Sequence, residues 1–146
     1  MRLFTTAMRV LLGCVFCYAA YTKLRQPWLV FAMSIDAYRL LPTWAVFAVA
    51  RTLPWMEIAL GVLMLAGIWS KYVAAAATAL LVIFWMAMLR AWTGGGGIDC
   101  GCFGIGETVS AITLLRDAVL LACSGALTSL LWRRPATPAA AAPASA

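Results

Sequence analysis

The sequence predicts an all-α integral membrane protein, a four-helix bundle of up-down topology with short interfacial helices between its first two spans. Three observations carry that prediction. Hydrophobic residues make up 65% of the 146-residue chain and charged residues only 11%, whereas a typical soluble domain is about 25% charged. Four apolar runs approach or reach the ~20 residues that a helix needs to cross a bilayer. They lie at residues 3–23, 54–69, 71–92 and 110–132, with proline, glycine and charge between them. The bundle is expected to occupy residues 1–134 as one domain, and nothing in it marks a nucleic-acid-binding module. Histidine is absent, which excludes every mechanism that uses imidazole as base, acid or ligand.

The first span carries Gly13, Cys17 and Ala20 on one helical face, the small-residue pattern that lets helices approach closely in lipid. Arg2 and Arg9 ahead of an apolar run also resemble a signal peptide, but a retained first helix keeps the bundle even-numbered. Between spans one and two, Pro27, Pro42 and Pro54 punctuate a segment that also holds Asp36, Arg39 and Arg51. One or two short amphipathic helices are expected there, anchored at the interface by Trp28, Tyr38, Trp44 and Trp55, although part of the segment could lengthen the second span. The third span, with "YVAAAATALLVIFWMAML", is the clearest. After the fourth span, Arg133 and Arg134 precede "PATPAAAAPASA", a tail over residues 135–146 expected to be disordered.

Up-down connectivity places the ends of spans one and three on the same membrane face as the starts of spans two and four. Lys23, Glu57, Arg90, Arg116 and Asp117 then gather on one side as a charged cluster, with Glu57 one turn into its span. Ionisable groups inside a span cost a few kcal/mol or more unless paired or wetted, so by default they mark function. A salt-bridge cluster that merely ties the bundle together is the alternative. Arg9 is expected to reach outward to the interface and to need no partner.

The loop between spans three and four, "GGGGIDCGCFGIGE", carries Cys100 and Cys102 on the same face. A disulfide between cysteines one residue apart closes a very small ring, whose strain makes it readily reduced and suits exchange more than structure. The cations nearby favour the nucleophilic thiolate, and Asp99 opposes them. A structural staple and a metal site remain alternatives, though two thiolates without histidine leave a zinc shell incomplete, and no metal is assigned. A phosphate loop is discounted for want of its lysine. Cys14 and Cys17, spaced i and i+3, lie roughly 9 to 14 Å below Lys23 at 1.5 Å per residue. They are either a second disulfide that relays electrons or small packing residues, and Cys123 reads as a small buried hydrophobe.

Taken together, "FCYAAYTKLRQP", "AYRLLP", "LPWMEIALGVLMLAG", "CGCFG" and "LLRDAVLL" resemble the MauE branch of the DoxX-like membrane proteins over roughly residues 8–125. The resemblance implies a four-helix protein of the bacterial inner membrane engaged in disulfide chemistry. It also implies a thioredoxin-fold partner outside the membrane and a role in methylamine dehydrogenase maturation. By position it covers Lys23, Glu57, Cys100, Cys102, Phe103, Gly104 and Arg116. Asp117 departs from the asparagine common at its place, and Cys14 and Cys17 lie outside the family pattern. A membrane quinone is a candidate electron acceptor, although no residue marks a quinone site.

The expectation is therefore a membrane thiol:disulfide redox protein. Lysine and arginine counts tie across the two faces once Arg116 is set aside, so charge does not orient the chain. Exchanging cysteines suit an oxidising compartment, which puts the loop outside and both termini in the cytoplasm. The rival reading is a carrier for a thiophilic metal such as mercuric or cuprous ion, since soft metals prefer thiolates. A non-catalytic scaffold for a redox complex is the third.

Overall fold

In the computed structural model, which describes residues 2–94 and 108–133, five helices follow one another. They are α1 (Arg2–Leu24), α2 (Trp28–Ala37), α3 (Thr43–Ala66), α4 (Ser70–Thr93) and α5 (Ala111–Trp132). All but α2 are long and apolar enough to cross a membrane. The chain is a multi-pass all-α membrane protein. The tail at residues 135–146 and the loop with Cys100 and Cys102 lie outside the described residues.

The second span corrects the sequence-based boundary. Pro54 was expected to open it, yet α3 starts at Thr43 and carries Pro54 inside. A proline has no N–H to give the carbonyl one turn back, but membrane helices tolerate that loss where neighbouring groups compensate. The helix therefore absorbs most of the segment expected to hold a second interfacial helix. Only α2 remains, and it buries Phe31 and Ala32 against Val46, Ala50 and Leu53 of α3.

The helix ends follow from local chemistry. Ser110 caps α5 reciprocally with Thr113, each side chain accepting from the other's backbone N–H, which satisfies donors that a helix start leaves orphaned. α3 ends at Gly67, whose φ of 75° suits a residue without Cβ. The Ile68 N–H reaches back to the Leu63 carbonyl at 3.2 Å, and α4 begins at Ser70. This short turn is closed from outside by Arg9. Rather than reaching free to the interface, the Arg9 guanidinium lies against Gly67, where a Cβ would collide with it, and a cation beside a helix C-terminus is favourable.

α1 and α3 cross closely through their glycines. A Cβ on Gly61 would stand 2.6 Å from Cys17 Sγ and 3.0 Å from the Gly13 carbonyl oxygen, and a Cβ on Gly13 would stand 2.9 Å from Leu65 Cγ. Beside this crossing Leu12, Phe16, Met64, Val73, Ala74, Ala77 and Leu127 form the main core. α4 and α5 are joined by polar contacts as well. Thr78 Oγ1 lies 2.8 Å from Ser124 Oγ and 3.0 Å from Thr128 Oγ1, and Trp85 Nε1 donates to the Leu114 carbonyl at 3.1 Å.

Candidate functional site

Lys23 sits in the last turn of α1, where the side chain of a helical residue leans back toward the helix N-terminus. That direction carries its ammonium into the bundle and onto Glu57 of α3. Lys23 Nζ donates to Glu57 Oε1 at 2.8 Å and to Oε2 at 2.9 Å. Both side chains are at most 4% exposed. Because α3 begins eleven residues earlier than expected, Glu57 is mid-helix, about 20 Å from Thr43 at 1.5 Å per residue, and not one turn from the membrane surface.

Two phenyl rings flank the ammonium. Its nitrogen is 5.8 Å from the centroid of Phe31 and 5.9 Å from that of Phe84, within the range of cation–π attraction. Two turns into α5, Asp117 is buried and accepts from Arg116 Nε at 2.9 Å. The Arg116 side chain is one-third exposed, unlike its partner. A cavity of about 40 Å³ touches Lys23, Glu57, Phe84 and Asp117 together. Liquid water occupies roughly 30 Å³ per molecule, so the space beside these three charged side chains is about large enough for a single water. Two cations and two anions leave the group neutral overall, which lowers the cost of burying it.

Four of the five residues expected to cluster are thus brought to one level of the bundle: Lys23, Glu57, Asp117 and, beside Asp117, Arg116. Arg90 stands apart. It is exposed in the last turn of α4 and lines a second, larger cavity of about 1000 Å³ between α2, α3 and α4. Phe84 lines both cavities and separates them. Sequence reasoning missed Phe31 and Phe84, because an aromatic residue in an apolar run carries no signal that distinguishes a neighbour of a buried charge from ordinary core.

Cys14 is exposed and Cys17 half-buried, and both are free thiols, as is Cys123. Cys17 Sγ fills the notch above Gly61, a packing role, and neither Cys14 nor Cys17 lines either of the two cavities. No group of three metal-ligating side chains occurs among the described residues. Cys100 and Cys102 lie outside them, but both anchor points of their loop are described. Met88 and Ala91 at the end of α4 pack with Val109 and Leu114 at the start of α5. Asp117 lies one turn beyond this anchorage along α5.

The profile of the methylamine utilisation protein MauE family matches residues 1–132. The chain belongs to the MauE family. It is 36% identical over 124 residues to methylamine utilization protein MauE of Paracoccus denitrificans, an alignment covering 83% of this chain and 66% of that protein. Against the protein of the same name from Methylorubrum extorquens, identity is 34% over 140 residues, covering 93% and 73%. This MauE-family chain thus spans just under two thirds of the length of the first relative and somewhat more of the second. No solved structure matches it.

Proposed function

We propose that this chain is a membrane thiol:disulfide redox protein in the inner membrane of a bacterium. In this reading the Cys100–Cys102 loop lies on the outer face and exchanges with a thioredoxin-fold partner. The client is a protein of methylamine utilisation, as the names of the two relatives suggest. Each exchange moves two electrons and two protons, since a dithiol loses both as its sulfurs join. A membrane quinone is the electron acceptor.

The observation that supports this most is the buried Lys23–Glu57 pair, 2.8 Å between charged atoms and sharing a water-sized chamber with Asp117. Burying a balanced set of charges in a span costs more than leucines would, and such sets mark proton pathways and polar sites in membrane proteins. Asp117, which shares that chamber, lies two turns into α5 from Val109, whose packing with Ala91 brings together the two helix ends that the loop with Cys100 and Cys102 connects. The thiophilic-metal reading finds less support, because Cys14 is exposed, Cys17 packs at the helix crossing beside Gly61, and neither lines either of the two cavities.

The test is thiol trapping in intact cells followed by mass spectrometry. The loop pair is expected to cycle between oxidised and reduced forms, and a Cys100→Ser or Cys102→Ser variant to capture a mixed disulfide with the partner. Client disulfides that form normally in both variants refute the redox reading.

A further inference from the structure

The cavity of about 1000 Å³ between α2, α3 and α4 is a groove open on its outer side, lined by exposed Met56, Val82, Ile83 and Met86 as well as by buried Phe31 and Leu53. Its size matches the upper end of the roughly 300–1000 Å³ typical of small-molecule sites. It exists because α3 and α4 diverge. Next to the Gly67 turn they share a core through Met64, Val73, Ala74 and Ala77; farther along, Leu80 and Phe84 still reach the Phe31, Val46 and Leu53 cluster, while Val49, Leu53 and Met56 line a groove whose other wall runs from Leu80 to Thr93. Leu80 to Thr93 extends about 20 Å along α4 at 1.5 Å per residue, so the cavity runs from the middle of the bundle to its end. Its mouth is framed by Met56, Val82, Ile83 and Met86, all exposed. Those are lipid-facing positions, and entry is from the bilayer.

The inner wall decides the occupant. An acyl chain needs only an aliphatic lining, yet here the wall contains the rings of Phe31 and Phe84, both on the cavity and both over the Lys23 ammonium. Directly behind Phe84 lies the chamber with Glu57 and Asp117. A flat ring stacks on flat aromatic walls. A ring that also gains and loses protons has reason to sit one side chain from buried carboxylates. The long apolar remainder of the cavity, open to lipid, accommodates a hydrocarbon tail. We infer that this cavity binds a membrane-dissolved isoprenoid quinone, its ring at Phe31 and Phe84 and its tail toward Met86 and the lipid.

The inference deepens the redox reading and rests on it for the source of electrons. A dithiol releases two electrons and two protons on closing to a disulfide, and a quinone takes up the same two electrons and two protons to become a quinol. The Lys23, Glu57 and Asp117 side chains and the water-sized space between them would hold and pass those protons. Binding itself requires only the described helices.

The experiment titrates decylubiquinone into the full chain in detergent micelles by calorimetry, and measures quinone and phospholipid that co-purify from bacterial membranes. Wild type is expected to bind saturably and to carry quinone at near-stoichiometric levels. Ala87→Phe on α4 and Val49→Phe on α3 each fill the cavity from a different helix, and each is expected to weaken binding at least tenfold with helix content and thermal midpoint retained. Ile112→Phe, at an exposed position on α5, is expected to bind as wild type does. Absence of saturable binding overturns the inference, as does wild-type affinity in both filled variants. Tightly held phospholipid that disappears from both filled variants also overturns it, and assigns the cavity to lipid. The Cys100→Ser/Cys102→Ser double variant separates the two proposals. If it binds decylubiquinone normally while client disulfides persist without it, the redox reading fails and the site stands. If client disulfides depend on the loop and no quinone binds, the site fails and the redox reading stands.

Discussion

The two ends of this bundle solve opposite problems. At the end closed by Gly67, α1 and α3 touch through Gly13 and Gly61, and α4 adds Ala74 and Ala77 to a core with no charged member. Without a hydrophobic driving force between helices in lipid, close backbone approach and dispersion hold such helices together. At the other end the helices part. From the middle of α3 outward the space is taken by a buried ion pair, a water-sized chamber and a large apolar groove. Tight packing at one end lets the other remain hollow and charged without falling apart, which is the division of labour expected where binding sites are built at a cost in stability.

The largest effect should come from unbalancing the charged end. Replacing Glu57 by Leu leaves the Lys23 ammonium buried beside two phenyl rings, and removing one partner of a buried pair costs about 3–5 kcal/mol. The paired Lys23→Met/Glu57→Leu variant removes both charges and is expected to recover most of that loss, because an apolar replacement of similar volume no longer bears desolvation. Thermal unfolding in detergent of the wild type, both single variants and the double gives the coupling. A double variant no more stable than Glu57→Leu would show that the pair does not act as a unit.

At the packed end the corresponding change is Gly61→Ala. Its new methyl would lie 2.6 Å from Cys17 Sγ and 3.0 Å from the Gly13 carbonyl oxygen, and overpacking of this kind costs about 1–3 kcal/mol. Adding Cys17→Ala relieves the contact with sulfur but not the contact with backbone, so partial recovery is expected. Full recovery would place the whole strain on the Cys17 side chain, and none would place it on the backbone crossing. The same series decides whether Cys17 is a packing residue, as its position above Gly61 indicates.

The contrast also explains what the sequence could and could not convey. Span number, the small-residue face at Gly13 and Cys17, and the meeting of Lys23, Glu57 and Asp117 were legible, because hydropathy, residue size and alternating span direction each constrain geometry directly. The start of α3 was not, since proline inside a membrane helix has the same local signature as proline at its start, and only the docking of Phe31 on Val46 and Ala50 selects between them. Arg90 looked like a cluster member by span position, but position along a helix does not say which face a residue occupies. The splay of α3 from α4 left no trace in composition. It arises beyond the core of Met64, Ala74 and Ala77, where, among the described residues, only Leu80 and Phe84 of α4 still reach the Val46, Ala50 and Leu53 cluster, a relation between two helices that neither run displays.

The smallest effect should fall on the α4–α5 seam, which belongs to neither end. Thr78 Oγ1 lies 2.8 Å from the Ala74 carbonyl and 2.8 Å from Ser124 Oγ, with Thr128 Oγ1 at 3.0 Å. A valine at 78 keeps the shape and removes the hydroxyl. Ser124 is fully buried, yet a serine in a membrane helix can turn its proton to a carbonyl of its own helix, so the partner is not stranded. Interhelical hydrogen bonds in a bilayer average about 0.6 kcal/mol by double-mutant cycles, and Thr78→Val is expected to lose about that much. A cycle with Ser124→Ala, measured by thermal unfolding beside the Glu57 series, should give a coupling several times smaller than that of the ion pair. Equal couplings would mean that hydroxyls hold the bundle as firmly as its charges do, and the distinction between a packed end and a charged end would lose its energetic basis.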